Sequence, residues 1–250
     1  GSAPATADRA MGNLRVFYDG ASTGAVNMAR DASLLEGHRP GDDPILRLYR
    51  WEPAAVTIGY NQEFSDFDAQ AIAAAGYDLV RRPTGGRAIL HADELTYAVI
   101  GSSPGPVFGA SLHDTYMKIN EALLTFLRGL GIDADISEGE SRDQAKGLVC
   151  FRSAGRHEVS VAGRKVIGSA QRRSGGVFLQ HGSILAGPRH LDLPSFLGRA
   201  GGSDSRELAA VTTDLGQLLG RPQSGPNLDA LAPALADAFC GVLDLVPSIG

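Results

Sequence analysis

The segment from Gly147 to Leu185 most constrains the fold. It reads "GLVCFRSAGRHEVSVAGRKVIGSAQRRSGGVFLQHGSIL". Four runs rich in apolar and β-branched residues ("LVCF", "HEVSVAG", "RKVIGSAQRR" and "GVFLQHGSIL") follow one another across short glycine-bearing breaks. Breaks this short can join antiparallel strands, whereas a parallel crossover needs a dozen or more residues. The segment is therefore predicted to be an antiparallel meander. Upstream, "PILRLYRW", "AVTIGY", "DLV" and "ELTYAVIGS" read as further strands. Helical spacing of apolar residues appears over Ala25–Leu35, within "SDFDAQAIAAAGY", and over Leu112–Leu130, which Gly131 closes. Runs of strands broken by isolated helices predict an α+β protein with mixed, mostly antiparallel sheets flanked by helices. From Leu191 the tail is helical, with "GGSDS" and "RPQSGPNL" as loops.

Residues 1–12 read as a disordered tail that opens on Gly1-Ser2, a tag remnant. Residues 13–250 read as one domain with a helical C-terminal extension from about residue 191. A chain of 250 residues with 43% hydrophobic content can bury a full core unaided. The net charge of −5, without a block of lysines or arginines, argues against nucleic acid as a partner. No apolar run reaches the roughly eighteen residues of a membrane span. Cys150 and Cys240 are too few and too far apart for a disulfide framework or a zinc site, so no metal is expected. Free cysteines and the lack of an apolar signal core near the N-terminus predict a cytoplasmic location. The protein is expected to be a monomer.

Three features could carry chemistry. In "RRPTGGRAILH", Gly85 and Gly86 allow a backbone to approach a ligand closely, and Arg81, Arg82 and Arg87 supply donors suited to phosphate or carboxylate. The same residues would also serve as a hairpin turn with solvated arginines. Cys150 is either a small buried hydrophobe or a nucleophile. Lys165 sits in a turn, where lysines are usually exposed. It precedes Gly168, Ser169 and Ala170, whose small side chains leave room for an elongated ligand. His91, His157 and His181 could each be a base or a structural histidine, and Cys240 on an apolar helical face reads as core.

Together, "RRPTGGRAILHADELTYAVI" and "CFRSAGRHEVSVAGRKVIGSAQRRSGGVFLQHGSIL" resemble the lipoate–protein ligase and octanoyltransferase family, to which biotin protein ligases are distantly related. The resemblance runs from about Val26 to Leu185 and implies a biotin/lipoate protein ligase-like catalytic domain. The family's Arg-Arg-x-Thr-Gly-Gly loop falls on Arg81, Arg82, Thr84, Gly85 and Gly86, and its histidine on His91. Its Gly-x-Lys-x-x-Gly-x-Ala pattern falls on Lys165, Gly168 and Ala170, with Ser169 between. Lipoate ligases carry a third glycine followed by His-Asp-x-Gly-Asn, where this chain has Arg87 and "HADELTY". They also carry Asn-Asp ahead of the lysine strand, where this chain reads "LVCFRSAGRHEVSV". Both departures resemble the branch with a cysteine nucleophile, which maps onto Cys150.

The resemblance implies Cys150 and Lys165 as catalytic residues. Arg82, Thr84, Gly85, Gly86, His91, Gly168, Ser169 and Ala170 would bind substrate. The implied reaction moves an octanoyl group from octanoyl-acyl carrier protein to a lysine of a lipoyl domain, such as that of glycine cleavage H protein, without a cofactor. The alternatives are ATP-dependent lipoate ligation, which would use ATP and Mg, and transfer of octanoyl or lipoyl groups between lipoyl domains.

Overall fold

A computed structural model describes residues 12–137, 158–198, 204–223 and 225–250. The "LVCF" run, Cys150 and His157 lie outside the described residues. The other three meander runs form β8 (Val159–Val161), β9 (Arg164–Ser174) and β10 (Val177–Leu185), paired antiparallel as predicted. With β1 (Asn13–Ser22), β2 (Ile45–Trp51), β6 (Glu94–Ser102), β7 (Asp135–Ile136) and β11 (Val246–Ile249) they build an eight-stranded sheet in the order β11-β1-β2-β6-β10-β9-β8-β7. From β2 to β7 every pairing is antiparallel, while β1 runs parallel to both β2 and β11.

One face of this sheet packs on α3 (Leu112–Gly129) and on α6 (Gly225–Leu243), which follows the short helices α4 (Ser205–Val211) and α5 (Leu215–Leu218). In α3, Ile119, Ala122, Leu123, Phe126 and Leu127 recur at helical spacing and are buried. Its start is fixed by a capping box, in which the Ser111 hydroxyl accepts from Asp114 N–H and the Asp114 carboxylate accepts from Ser111 N–H. At its end Gly131 adopts φ +77, which a residue with a side chain resists. In α6, Leu228, Leu235 and Phe239 join the same core. The "GPNL" half of the stretch read as a loop is thus the first turn of a helix, because Leu228 has a buried position to fill.

The opposite face is covered by α1 (Gly24–Gly37), capped by Thr23, and by a small sheet. That sheet holds β3 (Ala55–Ile58) at its centre, flanked by β4 (Asp78–Arg81) and β5 (Ile89–His91). Between β3 and β4 lies α2 (Ala69–Ala74), N-capped by Asp68 and followed by Gly76 at φ +76. The glycine loop joins β4 to β5, but these strands do not pair with each other. β4 runs parallel to β3 and β5 antiparallel to it, so the loop crosses the end of β3. A hairpin with solvated arginines is therefore ruled out at this position, and Arg82 is 2% exposed.

Candidate active site

The space between the large sheet and its α1/β3–β5 cover is a narrow pocket. Cross-strand register aligns two rows of residues on its floor. One row is Gly168, Ser183, Thr96 and Tyr49, from β9 through β10 and β6 to β2. The next is Ala170, His181, Ala98 and Arg47. Met28 of α1, with Arg82, Ile89 and His91 of the small-sheet region, supplies the cover.

The glycine loop is held from within. The Arg82 guanidinium donates from Nε and Nη2 to the Gly85 carbonyl (3.2 and 2.8 Å) and from Nη2 to the Arg87 carbonyl (2.7 Å). Its Nη1 donates to the Thr57 carbonyl (3.3 Å) and Oγ1 (3.1 Å). These contacts make Arg82 a brace for the loop rather than the open anion donor expected of it. Arg81 is likewise committed, with Nη1 donating to the carbonyls of Tyr60 (2.6 Å) and Gln62 (2.7 Å). Gly86 has φ +89, and a Cβ on Gly59 would lie 1.8 Å from the Gly86 carbonyl oxygen. Gly59 of "TIGYNQ" is thus required for the loop to seat.

Two threonine–histidine–carboxylate chains converge on the pocket. In the first, Thr57 Oγ1 accepts from Arg82 and so has its own proton for His91 Nε2 (2.8 Å). His91 Nδ1–H then donates to Glu94 Oε1 (2.8 Å), which also accepts from Thr96 (2.6 Å) and Ser183 (2.9 Å). In the second, Thr84 Oγ1–H donates to His181 Nε2 (2.6 Å), and His181 Nδ1–H donates to Asp31 Oδ2 (2.9 Å). Asp31 also accepts from Tyr49 OH (2.8 Å) and from Arg47 Nη1 (2.8 Å). Each carboxylate fixes one tautomer of its histidine, and each histidine is tied through a threonine to the glycine loop.

Electrostatics follow from burial. Burial pushes the Asp31 carboxyl up, but the hydrogen bonds and charges of His181 and Arg47 outweigh it and hold Asp31 below the usual carboxylate range. Burial lowers His181 below its ordinary value of 6.5, despite the opposing pull of Asp31. His190, whose Nε2 meets Thr212 Oγ1 at 2.9 Å, is also lowered by burial. In the unfolded chain both imidazoles take up protons as pH falls through their ordinary value, while the folded protein resists protonation. Their contribution to stability is therefore present above that value and shrinks below it. The unfolding temperature should fall between about pH 7.5 and about pH 5.5. A differential-scanning series that stays flat or rises over that interval would contradict these environments.

Of the residues proposed from sequence, the pocket brings together Arg82, His91, Gly168 and Ala170, with Thr84 behind His181 and the Gly85-Gly86 loop braced on Arg82. Ser169 points to the opposite face of the sheet, where its hydroxyl meets Tyr97 OH at 2.6 Å. Lys165 is 2% exposed rather than solvated, and its ammonium donates to Glu158 Oε1 in a buried ion pair. It is not among the residues lining the pocket. Asp31, Thr57, Glu94, Trp51 and Glu158 were missed by sequence reasoning. Asp31 did carry a signal, a lone acid inside the apolar stripe of "NMARDASLLE", as did Glu94, three residues after His91.

Comparisons with known proteins identify the family of the chain. Residues 23–240 match the family model described as the lipoyl protein ligase A/B catalytic domain. The chain is 40% identical over 246 residues to octanoyltransferase LipM of Symbiobacterium thermophilum, covering 91% of this chain and 86% of that protein. It is 44% identical over 182 residues to octanoyltransferase LipM of Kyrpidia tusciae, covering 70% of this chain and 66%, just under two thirds, of that protein. For octanoyltransferase LipM of Moorella thermoacetica the figures are 40% identity over 175 residues, 68% of this chain and 64% of the relative. The fold also superimposes on a lipoate-protein ligase A bound with ATP, with a TM-score of 0.75 at 24% identity, covering 96% of this chain and 88% of that one. The chain belongs to the lipoyl protein ligase A/B catalytic domain family.

Proposed function

We propose that the protein is an octanoyltransferase of lipoate biosynthesis that moves an octanoyl group through a thioester on Cys150. The acyl donor is octanoyl-acyl carrier protein, and the acceptor is a lysine of a lipoyl domain such as that of glycine cleavage H protein. The observation that carries this reading is the 40% identity to an octanoyltransferase across 91% of the chain. The narrow, largely apolar pocket between the sheets suits an unbranched acyl chain.

In the first step the Cys150 thiolate attacks the thioester carbonyl. The tetrahedral intermediate collapses, the carrier's pantetheine thiolate leaves, and the acyl group stays on Cys150. In the second step a neutral lysine amine attacks that thioester. Its surplus proton is lost, the amide forms, and the Cys150 thiolate is restored. Thioester exchange is nearly balanced and amide formation is downhill, so neither ATP nor a metal takes part. The covalent intermediate splits a reaction between two large proteins into two sequential encounters.

The test is intact mass after mixing with octanoyl-acyl carrier protein without ATP. A gain of one octanoyl group, discharged when a lipoyl domain is added, is the expected result. No gain without ATP, together with lipoate-dependent exchange of pyrophosphate into ATP, would replace this reading with lipoate ligation.

A further inference from the structure

We infer that Thr212, locked by His190, is a positioning residue that sets where Lys165 reaches. The inference rests on the acyl-transfer reading above and on Lys165 as the cation of that reaction. Lys165 is the second residue of β9, and neither neighbouring strand fully holds its backbone. On one side, β10 pairs with β9 only from Ser174 to Ile167, two residues short of the lysine. On the other side the β8 register slips. Val159 pairs with Ile167 and Ser160 with Lys165, which leaves Val166 as an extra residue in β9. Such a bulge disrupts the ladder and re-aims the side chains beside it.

The segment after α4 fills the place that β10 leaves open. Thr212 bridges Lys165 in parallel register, and Thr213 N–H donates to the Lys165 carbonyl (2.9 Å). Thr212 is itself fixed. Its Oγ1–H faces both the Leu208 carbonyl of α4 (2.8 Å) and His190 Nε2 (2.9 Å). His190 Nδ1 lies 3.0 Å from the Gly187 carbonyl, so Nδ1 carries the ring proton and Nε2 accepts. Gly187 N–H in turn donates to the Asp93 carbonyl (3.0 Å), and Asp93 precedes Glu94 of the first threonine–histidine–carboxylate chain. His190, Thr212 and Thr213 are each no more than 3% exposed. Hydrogen bonds and backbone thus tie the strand of Lys165 to the turn that carries His91 and Glu94.

Placement matters because the ammonium stands at the end of a flexible four-carbon stem. Glu158 holds its tip, but an ion pair alone lets the two partners move together. The clamp fixes the other end, at Cα. A catalytic group must stay within about 0.5 Å of its productive place, and a displacement of about 1 Å costs up to about 10²-fold in rate. The tail beyond residue 191 therefore braces the lysine from behind without lining the pocket.

The test removes one hydroxyl. Thr212→Val keeps the branched shape, and Thr212→Ser keeps the hydroxyl. For each, three quantities are measured: octanoyl transfer from octanoyl-acyl carrier protein to a lipoyl domain, the unfolding temperature, and the pH midpoint of Cys150 alkylation. All are repeated in the Lys165→Ala background. Thr212→Val should slow transfer by about tenfold and raise the alkylation midpoint, though by less than Lys165→Ala does. Thr212→Ser should recover most of both. In the Lys165→Ala background Thr212→Val should leave the midpoint where it is, because the group it positions is gone. His190→Asn, whose amide can still reach the Gly187 carbonyl but no longer holds Thr212, makes the same comparison if Thr212→Val does not fold. An unchanged midpoint overturns the clamp and makes Thr212 an ordinary core residue. So does a shift that persists without the lysine. Those results leave the transferase reading standing. Wild type that takes up no octanoyl group without ATP would overturn both.

Discussion

Cys150→Ser should remain folded yet gain no octanoyl group from octanoyl-acyl carrier protein, and its transfer rate should fall by roughly 10²-fold or more. A thiol reaches its thiolate near neutral pH, whereas a serine hydroxyl needs a dedicated general base. The two pocket histidines are poorly placed to be that base. His91 Nε2 accepts from Thr57 and His181 Nε2 accepts from Thr84, so the basic nitrogen of each is already occupied. Cys240 is the internal control. It is half-buried on α6, and burial followed by the nearby Asp237 charge pushes its thiol up, away from thiolate. Cys240→Ser should therefore transfer at the wild-type rate. Peptide mapping of the acylated protein decides between the cysteines. An adduct on Cys240, or full turnover by Cys150→Ser, would remove the proposed nucleophile.

The elements that build the pocket were largely legible in the sequence. The α1 stripe, the α3 period with its closing glycine, and the meander strands β8 to β10 all declare themselves through local spacing. What did not declare itself is non-local. β1 alternates exposed and buried only over Asn13–Val16 before Gly20 adopts φ +63 at a register shift, so its pattern is too short to read. β11 is a four-residue edge strand containing Pro247, a composition that argues against strand, and it exists because β1 offers it a parallel partner.

The site divides in the same way. The "RRPTGG" and "GRKVIGSA" motifs located the pocket, but not which members face it. Strand alternation sends Ser169 to Tyr97 while Gly168 and Ala170 face the ligand side. Arg82 looked like a ligand donor because guanidinium groups suit anions. Its role as a brace follows from the crossing of β3 by the glycine loop, a property of topology that no short motif encodes. Asp31 and His181 are 150 residues apart in sequence and 2.9 Å apart in the fold.

Lys165→Ala should slow both acylation of Cys150 and transfer to the lipoyl domain, each by about 10²–10³-fold. We propose that its ammonium, although held by Glu158, supports the Cys150 thiolate and donates to the oxyanion of each tetrahedral intermediate. The Glu158–Lys165 ion pair gives this prediction a second arm. Removing the lysine strands a buried carboxylate, which alone costs about 3–5 kcal/mol of stability, so slower turnover by Lys165→Ala could be read as damage. The charge arithmetic separates the two causes. Losing the Lys165 cation should move the alkylation midpoint of Cys150 to higher pH. Losing the Glu158 anion in Glu158→Gln should move it to lower pH, because the ammonium is then shared with one carboxylate fewer. Structural damage has no reason to shift a thiol in opposite directions from the two ends of one ion pair. Lys165→Arg should restore stability better than turnover, since a planar guanidinium can satisfy Glu158 but places its donors farther out. The measurement is iodoacetamide alkylation of Cys150 against pH in wild type, Lys165→Ala and Glu158→Gln, with lipoate-dependent pyrophosphate exchange run on wild type. Midpoints that shift together or stay put would withdraw Lys165 from the chemistry. Clear exchange alongside them would hand the lysine to an adenylate and leave Cys150 without a catalytic role.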